Sequence, residues 1–206
     1  LASNILKTAK KPLVIVGGGA KYSEAQKEIK QLIETHNIPM AETQAGKSTI
    51  EASHPLNLGG LGVTGNLAAN VYAKEADVIV GIGTRYSDFT TSSKTAINFD
   101  TAKLINININ RVDAYKLDAT QVVGDAKVSV SKLKDALNDH QFDVTDTVSD
   151  IKQQWSNERA RLATVNINSE DFTPEIADQF DQAKMNQYVE ALQTELPQTN
   201  ALIEVN

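Results

Sequence analysis

Residues 13–19 (LVIVGGG) form a continuous apolar run closed by glycines, the pattern of a strand buried on both faces of a parallel sheet. Ser23 follows as a candidate N-cap for a helix in which Ala25, Ile29, Leu32 and Ile33 recur at helical spacing, with Asn37 ending it. Residues 38–42 make a second short strand entered through Pro39. A glycine-rich stretch, 57–66 (NLGGLGVTGN), is assigned no strand and leads into a helix carrying Leu67, Val71 and Tyr72. Residues 77–84 (DVIVGIGT) give the next strand running into glycines. In 104–110 (LINININ) strict alternation puts Ile on one face and Asn on the other. Residues 121–125 add a strand, and 128–137 a helix. Strands alternating with helices imply right-handed crossovers and a doubly wound parallel α/β sheet.

Beyond Asp139 the pattern turns polar. Val148, Ile151, Trp155 and Leu162 fall on one face of an expected amphipathic helix, 166–182 reads as linker, and a helix near 185–196 stops before Pro197. Residues 201–205 (ALIEV) form one more apolar strand, which reads as the opening of another α/β unit. The organisation expected is therefore a Rossmann-like domain over 1–138, a linker with an amphipathic helix over 139–182, and the truncated start of a second α/β domain over 183–206.

Composition narrows the partners. The 206 residues carry 20 Lys and Arg against 26 Asp and Glu, a net charge of −6, which suits neither a nucleic-acid groove nor an anionic membrane. There is no Cys, so thiol chemistry and disulfides are excluded. No apolar run reaches the roughly 18 residues of a membrane span, and no signal-peptide pattern opens the chain, so a soluble cytoplasmic protein is expected.

Gly17, Gly18 and Gly19 lie between a strand and a helix, where a dinucleotide pyrophosphate meets backbone N–H groups, although Tyr22 takes the place of the third glycine of the usual fingerprint. Glu42, at the end of the second strand, stands where an acid would hold a ribose hydroxyl. The alternative is that the glycines serve only a tight turn. The segment 41–48 (AETQAGKS) resembles a relaxed P-loop, but Pro55 leaves room for only about one helical turn after it, so the match is read as coincidence. His36, His54 and His140 lack ligand spacing, and two of them adjoin helix ends or turns where a solvated histidine is usual. No G-x-S-x-G elbow is present.

The order of the motifs carries a resemblance. Gly17-Gly18-Gly19, Thr43 with Gly46-Lys47, His54-Pro55-Leu56, the glycines from Gly59 to Gly65, Ala69-Asn70, Asp77, Gly83-Thr84-Arg85 and Gly124-Asp125 follow one another as in the central domain of thiamine-diphosphate enzymes of the acetolactate synthase and pyruvate oxidase group. Within that family, ETQAGKS, NLGGLGVTGN and DFTTSSK are most similar to the branch that hydrolytically opens a cyclic dione ring in myo-inositol catabolism. The resemblance implies a homo-oligomeric enzyme, dimer or tetramer, using thiamine diphosphate and Mg²⁺ at sites outside this stretch, because the G-D-G motif of the family is not met: Ala126 follows Gly124-Asp125. No catalytic or metal-ligating residue is therefore expected here, and the stretch is read as a scaffold that is inactive alone.

Relatives that bind FAD or ADP in this domain carry acids in the strand where Asn108 and Asn110 stand, and acetolactate synthases have an Arg where Phe89 follows Asp88. An Asn retains one acceptor for a ribose hydroxyl but loses the charge-assisted strength of a carboxylate. The alternative is an acetolactate synthase-like or pyruvate oxidase-like enzyme whose central domain holds FAD or another adenine nucleotide. The candidate cofactor-binding residues are Gly17, Gly18, Gly19, Gly46, Lys47, Gly62, Thr84, Arg85, Asn108 and Asn110. Any ligand is expected against the turns 17–20, 46–47, 62–65 and 84–85.

Overall fold

The structure, a computed structural model, describes residues 1–163. The expected linker 166–182, helix 185–196 and strand 201–205 lie outside the described residues. In chain order the elements are α1 (Ala2–Leu6), β1 (Pro12–Val16), α2 (Gly18–Tyr22), α3 (Gln26–His36), β2 (Met40–Glu42), β3 (Asn57–Gly60), α4 (Leu67–Glu75), β4 (Val78–Ile82), α5 (Asp88–Thr91), β5 (Lys103–Asn108), α6 (Arg111–Ala114), β6 (Thr120–Val123), α7 (Ala126–Leu137) and α8 (Thr145–Ala163). The six strands form one sheet in the order β3-β2-β1-β4-β5-β6, and every pairing is parallel.

The two longest apolar runs occupy the middle. All five residues of β1 and of β4 are buried, in register from Pro12↔Val78 to Val16↔Ile82. Pro12 stands at the first strand position, where a missing donor is tolerated. The Asp77 carboxylate accepts from the Lys10 and Lys11 amides at 2.8 and 2.9 Å, so the acid that opens β4 also aligns the entry to β1.

Several expectations are corrected. The first four residues of the glycine-rich stretch are a strand: β3 is an edge, paired on one side only, so two glycines are tolerated while Leu58 supplies burial. Ser23 does not cap α3, whose N-cap is Ala25 with no side-chain bond; its hydroxyl donates to Asp125 and accepts from the Lys127 amide, reinforcing the start of α7. His36 and His54 are buried, not solvated. The His36 ring lies 2.7 Å from the His140 carbonyl and 3.1 Å from that of Lys134, while His54 Nε2 is 3.0 Å from Glu34.

Val148 and Ile151 of α8 join the core and Trp155 packs on it, but Leu162 is half exposed. Lys152 holds α8 in place. Its Nζ donates to the carbonyls of His54, Pro55 and Asn57 at 2.9–3.0 Å, and burial pushes its pKa down. Lys152→Met preserves the stem but strands three carbonyls, so we expect a loss of about 1–3 kcal/mol in urea unfolding. Faster amide exchange confined to α8 and the 54–57 loop is the accompanying signature.

Candidate functional site

From β1 the chain winds outward through β2 and β3, and from β4 in the opposite direction through β5 and β6. The crossovers after β1 and β4 therefore diverge and leave a crevice outside their carboxyl ends, the place where ligands bind in open α/β sheets. A cleft of about 570 Å³ lies there. Its polar lining is mostly neutral, including Thr43, Gln44, Thr64, Thr84, Ser87 and Asn108, with Arg85 and Asp113 as the charged residues. The Asp113 carboxylate accepts from Lys116 Nζ at 2.7 Å.

Interlocked glycines bring the turns together. The Gly17 amide donates to the Ile82 carbonyl at 2.8 Å and the Gly19 amide to Gly83 at 3.0 Å. A Cβ on Gly17 would lie 2.3 Å from the Gly83 oxygen, and one on Gly19 2.8 Å from the Gly83 Cα. Gly83 itself adopts φ +61, a conformation open to glycine at little cost. Two of the amides that the glycine-rich turn would offer a pyrophosphate are thus already bonded to the last residue of β4 and to the turn after it. The helix that follows, α2, has only five residues.

The candidate residues divide. Gly18, Gly19, Thr84, Arg85 and Asn108 line the cleft. Gly17, Gly46 and Gly62 stand behind it as contacts between loops: a Cβ on Gly46 would lie 2.0 Å from the Val16 oxygen, and one on Gly62 2.1 Å from that of Phe89. Lys47 is exposed outside the lining, and its carbonyl accepts from Lys21 Nζ. Asn110 is spent as the cap of α6, accepting from the Val112 amide at 2.9 Å. Asn108 is buried, donating to the Thr84 carbonyl at 3.0 Å and accepting from the Asn110 amide at 2.9 Å.

Thr64 falls in the expected turn 62–65, whereas sequence reasoning did not single out Gln44, Ser87, Thr90 or Asp113 as lining. The signal available for them was position alone, each lying in a segment that follows a strand. Nor does a P-loop form: Gln44–Gly46 is a single 3-10 turn, and no helix begins between it and α4.

Glu42 does not face a ribose site. Its carboxyl is buried, with Oε1 lacking a hydrogen-bond partner among the described residues, and desolvation, outweighing the nearby amides of the 48–50 loop and Asn57, raises its pKa. A carboxyl with a raised folded-state pKa binds its proton more tightly folded than unfolded. The resulting stability is present below the unfolded value, and it falls as pH rises through the folded one. Melts between pH 4 and 7 are expected to show this slope, and Glu42→Gln to remove it.

Fold and cleft define a doubly wound domain with its crevice at the switch point. The chain belongs to the family described as thiamine pyrophosphate enzyme, central domain, whose model matches residues 1–133. It is 55% identical over 205 residues to a 3D-(3,5/4)-trihydroxycyclohexane-1,2-dione hydrolase of Bacillus licheniformis, 54% identical to that of Bacillus subtilis and 53% to that of Listeria monocytogenes. Each match covers 100% of this chain and 32% of the relative, so the chain spans about a third of their length. Among the described residues no group of three or more His, Asp or Glu side chains converges to hold a metal. No helix among them is long and apolar enough to cross a membrane.

Proposed function

We propose that this chain is the central portion of a cytoplasmic, homo-oligomeric hydrolase that opens the ring of 3D-(3,5/4)-trihydroxycyclohexane-1,2-dione in myo-inositol catabolism. The observation that supports the reading is identity above half along the whole chain with hydrolases of that name. Residues 1–138 are the central domain, 139–182 the connecting segment and 183–206 the start of the next domain. Thiamine diphosphate, with Mg²⁺, supplies carbanion-stabilising chemistry when bound, and we assign its site to parts of the enzyme outside this chain. We assign no reaction step to the residues of this chain.

Their role is positional. Four loops locked by Gly17, Gly46, Gly62 and Gly83 give a stiff edge on which other parts of the enzyme can be ordered. If a small ligand enters the cleft, Gly18, Gly19, Thr84, Arg85 and Asn108 are the residues that meet it. The cleft itself favours the second reading, an FAD- or ADP-holding central domain; the occupied amides of Gly17 and Gly19 oppose it. The test is turnover of the cyclic dione. The full-length enzyme with thiamine diphosphate and Mg²⁺ is expected to open the ring, and the 206-residue chain alone to show no turnover. Titration calorimetry of the chain with ADP and FAD is expected to show no heat of tight binding. Turnover by the chain alone overturns the scaffold assignment, and micromolar ADP or FAD binding favours the second reading.

A further inference from the structure

The cleft outside β1 and β4 presents one unpaired charge. Arg85 lines it, and among the described residues its guanidinium makes no ion pair or hydrogen bond. The other charged group of the lining, Asp113, is neutralised by Lys116 Nζ at 2.7 Å. The neutral lining is biased toward donors. Thr43 and Thr84 are buried, and each spends its hydroxyl oxygen on a backbone amide, accepting from Gly46 at 3.1 Å and from Tyr86 at 3.2 Å. Neither hydroxyl proton has an acceptor among the described residues, so each remains to be donated. The hydroxyl oxygens of Ser87 and Thr90, 3.3 Å apart, satisfy one another with a single proton and leave the second free. Two exposed rings, Tyr22 and Phe89, complete the walls. At about 570 Å³ the cleft has the size of a small-molecule site. It calls for an occupant rich in acceptor oxygens, with one negative charge and a C–H face to lie on a ring.

We propose that this cleft binds a polyhydroxylated carboxylate of the class that ring opening releases. Its carboxylate sits on the Arg85 guanidinium, its hydroxyl oxygens on Thr43, Thr84 and Ser87, and its carbon skeleton against Tyr22 and Phe89. The proposal rests on the reading of this chain as part of a ring-opening hydrolase. Hydrolysis of a cyclic 1,2-dione breaks the bond between the two carbonyl carbons. The hydroxyl of water goes to one of them, which becomes a carboxylic acid and releases its proton to solvent. The remaining hydrogen goes to the other, which becomes an aldehyde. A trihydroxycyclohexane-1,2-dione so opened is a six-carbon chain that keeps three hydroxyls and gains one carboxylate. That single charge equals the single unpaired cation of the cleft, and a planar guanidinium grips a carboxylate through two parallel bonds. The uncharged dione offers Arg85 no such partner. A nucleoside diphosphate brings several negative charges to a lining that neutralises one.

Titration calorimetry of the full-length holoenzyme tests the proposal by a readout independent of turnover. The probes are D-glucuronate, a six-carbon sugar acid; D-glucose, the same skeleton without the carboxylate; acetate, a carboxylate without hydroxyls; and ADP. D-glucuronate is expected to bind at sub-millimolar concentration, and D-glucose and acetate about tenfold more weakly or worse. Arg85→Gln is expected to weaken D-glucuronate on the order of tenfold, and Arg85→Lys, which keeps the charge but not the fork, to recover part of the loss. Both variants should fold, because Arg85 is exposed and unpaired. Equal affinity for D-glucuronate and D-glucose overturns the proposal, as does D-glucuronate binding that Arg85→Gln leaves unchanged, or no binding at millimolar concentration. ADP that displaces D-glucuronate assigns the cleft to a nucleotide and overturns it too. Binding of D-glucuronate through Arg85 by an enzyme that fails to open the cyclic dione removes the functional reading and leaves the carboxylate site standing. An enzyme that opens the ring but binds the acid independently of Arg85 does the reverse.

Discussion

Asn108→Asp is expected to destabilise the protein by about 2–4 kcal/mol at pH 7. Asn108 is buried and uses both ends of its amide, accepting from the Asn110 amide and donating to the Thr84 carbonyl. A carboxylate keeps the first bond. It turns the second into an approach of two oxygens, with no proton between them unless the acid stays protonated. The introduced group therefore has a folded-state pKa above its unfolded value of about 3.9. Stability is retained below that unfolded value and is lost as pH rises through the folded one. Urea unfolding at pH 4.5 and pH 7.5 reads the difference directly. Equal losses at the two pH values would show that the Thr84 contact contributes nothing, and rescue by ADP would show that the cleft is a nucleotide site after all.

Gly17→Ala and Gly46→Ala are expected to cost at least about 3 kcal/mol each, more than an ordinary surface substitution by a wide margin. The new methyl group would lie 2.3 Å from the Gly83 oxygen in the first case and 2.0 Å from the Val16 oxygen in the second. Both obstacles are backbone atoms of the central strands or the turns beside them. Relief requires β1 to separate from β4, or the 44–46 turn to lift off the end of β1. Gly124→Ala is the control: its Cβ meets only the Ser129 hydroxyl at 3.1 Å, a side chain free to rotate, so a change within about 0.5 kcal/mol is expected. Chemical unfolding of the three variants in parallel checks the ranking, and a Gly17→Ala protein as stable as Gly124→Ala would refute the interlocking account.

What the sequence by itself determined is the ladder of buried strands. LVIV and VIVGI are apolar at every position, which leaves a doubly covered parallel sheet as their place, and the glycines that close them mark the carboxyl edge. Order and spacing of the motifs also carried the family, because Gly17-Gly18-Gly19, Gly46-Lys47 and Gly83-Thr84-Arg85 recur as a set. The tertiary structure decided what each of those residues does. Chain pattern shows that Gly17 is a glycine after a strand; whether its amide faces a ligand or the Ile82 carbonyl depends on how closely β4 approaches, a long-range fact. Glu42 and Asn108 both sit at strand ends and looked alike as ribose-binding candidates. The 48–50 loop buries one under its own amides, and the Thr84 turn engages the other beside the cleft. Strand β3 escaped notice because an edge strand needs partners on one side alone, so its glycines hid it. Local pattern reports which groups are present along the chain, and only packing between distant segments settles which of them remain unpaired and able to bind.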